Sequence, residues 1–290
     1  MIITHLIGGL GNQLFQYAMA RRIAYKNNIT LKLDISDFAM YKLREFKLDK
    51  FNITAEIATQ EEIWRFKKNR YRILGTFFSL YNSVLPFNSR SIIKERYFYY
   101  DPEITKILDD VYLEGHWPSE MYFLDIKEML SEEFTLKYDM NNYHQALKNQ
   151  IKNTESVSIH IRRGDYVSNP VVNKIHGTCS QNYYKKAVKV ITNKIDNPHF
   201  FIFSDDPVWV KENFKIPFTS TVVRSDDQRD YEDLILMSNC KNHIIANSSF
   251  SWWGAWLNPR EDKLVISPSR WYQGADYDTR DLLPNSWITI

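Results

Sequence analysis

Val157-Ser-Ile-His-Ile161 opens a run in which short apolar stretches and amphipathic stretches alternate to the end of the chain. The pattern predicts a strand at 157–161, a helix over 181–194, a strand at 199–203, a helix over 206–213 and a strand at 220–223. Residues 231–237 read as a helix, 243–246 as a strand, 250–257 as a helix and 263–266 as a last strand. Strands separated by helices belong in a parallel sheet covered on both faces. The second half is therefore expected to be a doubly wound, Rossmann-like α/β domain.

Upstream, the stretch 2–7 is apolar, Gly8, Gly9 and Gly11 break it, and Leu14, Phe15, Ala18, Ile23 and Tyr25 supply an apolar helical face. Residues 30–35 then alternate with period two, completing a strand–turn–helix–strand unit. The middle is less regular. Helices are expected over 61–68 and 72–85, an extended stretch over 91–99, a strand over 111–116 feeding a helix from about Ser119, and a polar helix over 141–152. The boundary is expected near 149–155, with one Rossmann-like domain over 1–152 and another over 153–290. Two such domains facing across a cleft bind ligands at the carboxyl ends of their strands.

Composition narrows the function. With Lys+Arg 37 against Asp+Glu 35 the net charge is +2, so no bulk field holds nucleic acid or an anionic membrane, and any bound anion needs a local constellation. Cys179 and Cys240 lack disulfide-framework and metal spacing, and the histidines show no zinc signature. No window approaches about 18 consecutive apolar residues. The expectation is a cytoplasmic protein, free or seated peripherally on the inner face of the membrane through positions such as Lys67, Lys68, Arg70 and Arg72.

Four motifs carry the chemistry. His160-Ile-Arg162-Arg163-Gly-Asp165-Tyr166 ends the first strand of the second half, where two guanidiniums are costly without an anion and suit a phosphate. A structural Arg–Asp pair with Asp165 is the plain alternative. Ala246-Asn247-Ser248-Ser249-Phe250-Ser251-Trp252-Trp253-Gly254 runs from strand to helix, and free amides at a helix start bind anions. Its tryptophans, with Trp256, read as core. Ser204-Asp205-Asp206 ends another strand, with one carboxylate expected to cap the next helix and Asp205 to hold ribose or base. Gly8-Gly9-Leu-Gly11-Asn12-Gln13 has neither the dinucleotide nor the P-loop spacing, yet the scarce glycines gathered there bring backbone close to a ligand, with Asn12 and Gln13 as donors. Asp276-Tyr-Asp278 is a weak metal candidate in the tail, and Phe77-Phe78 and Tyr97-Phe-Tyr-Tyr100 read as core or groove wall.

Taken in order, these motifs resemble the α-1,2-fucosyltransferases of glycosyltransferase family 11. Gly115-His116-Trp-Pro118-Ser-Glu120 is similar to a further family segment, departing from it at His116 and Pro118. The resemblance implies a GT-B architecture with the acceptor in the N-terminal domain and the nucleotide sugar in the C-terminal one. It implies GDP-β-L-fucose as donor, the 2-hydroxyl of a terminal galactose in an oligosaccharide or O-antigen-type glycan as acceptor, and inversion without a metal or other cofactor. By the same resemblance Arg162 would pair with the β-phosphate, assisted by His160 and Arg163, with Asp165 in the donor-binding set. Ser248, Ser249, Phe250 and Ser251 would cradle the pyrophosphate, Asp205 would help hold the nucleoside, Asn12 would face the donor, and Asn247, Gly9 and Gly11 would join the donor-binding set. The base is unassigned among Asp34, Glu120 and Asp165, with Glu120 first. Two other readings stay open: an inert nucleotide- or glycan-binding protein on the same fold, and a transferase using a different nucleotide sugar.

Overall fold

The computed structural model describes residues 1–40, 44–67, 84–224, 228–274 and 276–290. The helix expected over 72–85 falls outside them apart from its last two positions, as do Lys68, Arg70, Arg72 and Phe77-Phe78. The chain divides into two units, Met1–Lys137 with Asp278–Leu282 and Tyr138–Tyr277 with Leu283–Ile290.

The first unit is built on five parallel strands: β1 (Ile2–His5), β2 (Leu31–Asp34), β3 (Glu56–Ile57), β4 (Ile92–Lys94) and β5 (Val111–Glu114). Their order is β3-β2-β1-β5-β4. Helix α1 (Leu10–Asn27) follows the glycine turn and buries Leu14, Phe15, Ala18 and Ile23 as the periodicity requires. Tyr25 is instead exposed on its last turn, where the Arg21 guanidinium lies 5.9 Å from the ring centre. Helix α2 (Gln60–Lys67) buries Ile63 and Phe66. The helix expected from Ser119 is replaced by two 3-10 turns, Glu120–Tyr122 and Leu124–Ile126, before α3 (Lys127–Glu133). Ser119 caps the first turn by accepting the Met121 N–H at 3.3 Å.

The second unit holds six parallel strands: β6 (Glu155–Ile161), β7 (Pro198–Ser204), β8 (Ser220–Val222), β9 (Asn242–Ile244), β10 (Val265–Ser267) and β11 (Ile288–Thr289), in the order β11-β10-β9-β6-β7-β8. Its helices are α4 (Asn142–Lys152), α5 (Gly164–Ser168), α6 (Pro170–His176), α7 (Gln181–Thr192), α8 (Pro207–Asn213), α9 (Asp230–Asn239) and α10 (Ser249–Trp256). Val157, Ile159, Ile161, Phe200 and Ile202 pack on Tyr183, Tyr184, Ala187 and Ile191 of α7. Phe201 and Phe203 face the other way, onto Leu147 and Ile151 of α4 and Leu236 and Met237 of α9. Period-two alternation thus covers both faces, the doubly wound arrangement expected. Trp252, Trp253 and Trp256 are buried core.

The division between units lies at Lys137/Tyr138 rather than near residue 152, because α4 is anchored in the second unit. His144 on α4 sits with Nδ1 2.6 Å from Glu232 and Nε2 3.0 Å from Asp233, both on α9. The tail segment 278–282 returns to the first unit, where the Asp281 carboxylate accepts the Tyr100 N–H at 3.1 Å.

Strand order places the loops that matter. In the second sheet the chain proceeds from β6 outward to β8, then restarts on the other side of β6 with β9. Connections leaving β6 and β9 therefore diverge, and the crevice at their carboxyl ends is where open α/β sheets bind ligands. In the first sheet the same reversal falls between β1 and β5.

Candidate active site

The loop after β6 begins with Arg162. Its Nη2 donates to Asp165 at 2.5 Å, its Nη1 lies 2.8 Å from Asp205, and its guanidinium carbon is 5.3 Å from the ring centre of Tyr166. Burial opposes the charge, but Asp205 and Asp165 outweigh it and hold the guanidinium above its ordinary pKa. It is a cation at every working pH. Its Nε makes no hydrogen bond among the described residues, so two carboxylates orient the fork and leave donors unspent.

The two arginines part company. Arg163 donates from Nε to Asp206 at 3.0 Å and stacks on Trp209, 3.7 Å from its ring centre. Asp206 also caps α8 through the Trp209 N–H at 3.1 Å, the capping role expected of that pair. Arg163 therefore braces α8 through Asp206 and Trp209, while the pair with Asp165 that the sequence leaves as the plain alternative is made by Arg162. Asp205 is likewise engaged within the protein, one oxygen on Arg162 and the other accepting the Arg163 N–H at 2.8 Å, where the sequence reading assigns it to the nucleoside. Gly164 makes room for that carboxylate: a Cβ there would collide with it.

The loop after β9 brings the second motif to the same crevice. Asn247 is tied on every side. Its amide donates to the carbonyls of His176 and Trp271 at 3.0 Å and of Gly177 at 3.3 Å, and its Oδ1 accepts from Cys179. Ser251, buried, accepts the Ala246 N–H at 3.2 Å. These two side chains tie the loop down rather than reaching outward. Ser248 occupies the N-cap of α10, yet its side chain makes no cap hydrogen bond. The eight-residue helix therefore begins at Ser249 and Phe250 with no side-chain cap, the arrangement that receives an anion.

His160 stands between the two motifs, its ring 5.6 Å from that of Phe250. Burial, helped by Arg162, pushes its pKa down to about 3, so the imidazole is neutral, and its buried Nδ1 has no hydrogen-bond partner. Tyr166 joins the loops by donating to the Asn247 carbonyl at 3.2 Å and stacks on His176 at 4.7 Å, with Tyr272 on the other ring contact of His176 at 5.0 Å. His176 and Tyr272 lie outside the sequence motifs and meet this loop only in the fold.

In the first unit Gly8 takes φ +81° and Gly9 is the N-cap of α1. A Cβ on Gly8 would sit 2.8 Å from the Asn12 amide nitrogen. Gly11 is buried within α1, and Asn12 is half-buried at its start. Gln13 is a structural tie, donating to the carbonyls of Gly8 at 3.0 Å and Glu45 at 2.8 Å and accepting the Lys47 N–H at 3.0 Å.

The base candidates sort by environment. Asp34 is fully buried, accepting from the Ser36 N–H at 2.9 Å, the Tyr112 hydroxyl at 2.5 Å and the Lys67 ammonium at 3.1 Å. Burial raises its pKa, but these partners outweigh burial and hold it below the ordinary value. Asp34 is a fixed anion, and Asp165 is committed to Arg162. Glu120 lies half-buried in the first 3-10 turn after β5. Among the described residues no group of His, Cys, Asp or Glu side chains has metal-site geometry, and the Asp278 carboxylate is paired with Arg280. No helix among them is long and apolar enough to cross a membrane.

The solved NodZ α-1,6-fucosyltransferase soaked with GDP-fucose superposes with a TM-score of 0.55, at 14% identity over 92% of this chain and 94% of that one. A mutant FUT1 of Arabidopsis thaliana in complex with GDP gives 0.53 at 12% identity over 93% and 71%. The two parallel α/β sheets match the GT-B fold of these neighbours. The Glycosyl transferase family 11 model matches residues 1–290, and the chain belongs to that family. It is 38% identical to an α-1,2-colitosyltransferase of Escherichia coli over 100% of this chain and 99% of that protein. It is 35% identical to the O-antigen biosynthesis glycosyltransferase WbnK of Escherichia coli, over 98% and 99%. Human galactoside α-(1,2)-fucosyltransferase 1 aligns at 24% identity over 50% of this chain and 42% of its own.

Proposed function

We propose that this transferase moves L-fucose from GDP-β-L-fucose to the 2-hydroxyl of a terminal galactose, with inversion and without a metal ion, the donor bound by the second unit and the acceptor by the first. The observation that carries the reading is Arg162: a half-buried cation, oriented by Asp165 and Asp205 with donors left over, on the loop after β6, next to the strand β9 whose following loop leads to the N-cap of α10, where Ser248 makes no side-chain cap. As the glycosidic bond breaks, the sugar becomes oxocarbenium-like and negative charge grows on the β-phosphate. A preorganised guanidinium at that phosphate gains most in the transition state, which is the condition for accelerating chemistry. Neutral His160 adds a polar ring without adding charge, and the first amides of α10 meet the same diphosphate. The cation that a divalent metal supplies in other transferases is here a side chain. GDP-fucose with NodZ and GDP with the Arabidopsis protein support a guanosine diphosphate donor.

A second reading has its own support. The full-length similarity to a colitosyltransferase, against half-length similarity to the human fucosyltransferase, favours colitose as the sugar transferred, with the same α-1,2 linkage and the same diphosphate chemistry. Purified enzyme given GDP-fucose and GDP-colitose in parallel, with lactose, N-acetyllactosamine and Galβ1-3 disaccharides as acceptors, separates the two. Thermal shift with GDP, UDP and ADP tests what they share: GDP alone raises the melting temperature through binding linkage. Equal shifts with all three, or none with GDP, contradict both.

A further inference from the structure

The first sheet reverses between β1 and β5, so it has a switch point of its own, served by the loops at 6–9 and 115–119. The second of these loops is held by a carboxylate from a neighbouring strand. Glu95, the residue after β4, accepts the His116 N–H at 2.8 Å on Oε2 and the Trp117 N–H at 2.9 Å on Oε1. Its own N–H donates to the Glu114 carbonyl at 2.8 Å, which fixes its backbone to the end of β5.

Holding two consecutive amides on one carboxylate requires both to turn the same way. The chain meets this by placing Trp117 at φ +57°, a region that bulky side chains rarely enter. Gly115 shares the constraint, since a Cβ there would lie 2.5 Å from the Glu95 Cβ and 2.7 Å from the Trp117 indole. The same loop leaves two buried polar atoms with no hydrogen-bond partner, His116 Nδ1 and Trp117 Nε1. Strain maintained by a dedicated anchor, together with the unpartnered His116 nitrogen at a switch point, points to a segment shaped for function.

We propose that Glu95 is the positioning residue of the acceptor-sugar subsite: by gripping the His116 and Trp117 amides it sets the shape of loop 115–120, and through that shape the enzyme's grip on galactose. The proposal rests on the first unit binding the acceptor, as inferred above. Glu95 acts through the loop.

Glu95→Gln preserves size but turns an NH2 toward an amide N–H. With methyl β-D-galactoside as acceptor and GDP-fucose as donor, this variant raises the acceptor KM by about tenfold or more. Its kcat, its GDP-fucose KM and the melting-temperature rise with GDP stay close to wild type. Glu95→Asp recovers part of the acceptor KM. Hydrogen exchange gives a reading independent of turnover: the amides of His116 and Trp117 are protected in the wild type and exchange fast in Glu95→Gln. If Glu95→Gln does not fold, exchange in the wild type decides the matter, with protection in the free enzyme increasing on addition of methyl β-D-galactoside. An unchanged acceptor KM in folded Glu95→Gln, or wild-type amides exchanging like an open loop, overturns the proposal. Failure of GDP to stabilise the wild type instead removes the functional reading beneath it.

Discussion

Arg162 and Arg163 are neighbours of identical chemistry with different work. Successive side chains leaving a strand end point apart, so Arg162 meets Asp165 and Asp205 while Arg163 meets Asp206 and Trp209. Arg162→Lys supplies the charge but not the planar fork, and cannot engage two carboxylates and a phosphate together. The expected result is a fall in kcat of about a hundred- to a thousand-fold with the fold retained. Turnover near wild type in a steady-state assay would refute that placement. His160, held near pKa 3 by burial and Arg162, contributes no limb to the pH–rate profile above about pH 5. The motifs were singled out by residue type, because arginine, serine and asparagine at strand ends suit a phosphate. Asn247 and Ser251 show where legibility stops: an amide or hydroxyl that can bind a ligand can equally tie a loop, and only coordinates separate the two.

At the scale of elements, the contact of α9 with α10 depends on Gly254, whose missing Cβ would lie 2.8 Å from the Met237 Cβ. Gly254→Ala forces two backbones apart and costs about 1–3 kcal/mol, read as a lower denaturation midpoint. Helix α4 is pinned to α9 by His144 between Glu232 and Asp233, with Asn141 donating to Glu232, Arg229 paired with it, and Asp230 raising Asp233. Burial pulls the His144 pKa down, but Asp233 and Glu232 outweigh it and leave the pKa raised. A raised histidine stabilises the fold fully below its unfolded value of about 6.5 and loses that stabilisation as pH climbs through the higher folded value. Asp233, pushed up to about 6 chiefly by burial, acts in the same direction at lower pH. The contribution of this cluster therefore declines from acid through neutral into mildly alkaline pH, against the opposite slope of buried His160 and His243, whose lowered pKa values favour the fold as pH rises; it is read as the pH dependence of the difference in unfolding free energy between wild type and His144→Gln. His144→Ala, which leaves buried Asp233 without its partner and takes one from Glu232, costs about 3–5 kcal/mol. The alternation in the second half was readable because its strands and helices are long enough to show a period. The two-residue strands β3 and β11 carry none, and α5 and α6 fall in a stretch rich in turn-forming residues.

For the molecule as a whole, strand order decides where function sits, and strand order cannot be read from periodicity. The reversals between β6 and β9 and between β1 and β5 select the loops that hold three of the four motifs and the 115–120 segment, while Ser204-Asp205-Asp206 follows the neighbouring strand β7. Glu95 escaped the sequence reading for the same reason: its partners are 21 and 22 residues away and lie beside it only because β4 pairs with β5. On the proposal that Arg162 supplies the positive charge at the leaving group, transfer is expected to persist in EDTA. Loss of activity that manganese restores would contradict the metal-independent scheme. The central claim is that Arg162 and the start of α10 receive the diphosphate of a GDP-sugar. A crystal structure with GDP tests it most directly. The account predicts a β-phosphate oxygen within hydrogen-bonding distance of the Arg162 guanidinium and of the amides at Ser249 and Phe250; a diphosphate bound elsewhere, with Arg162 held only by its two aspartates, would contradict it.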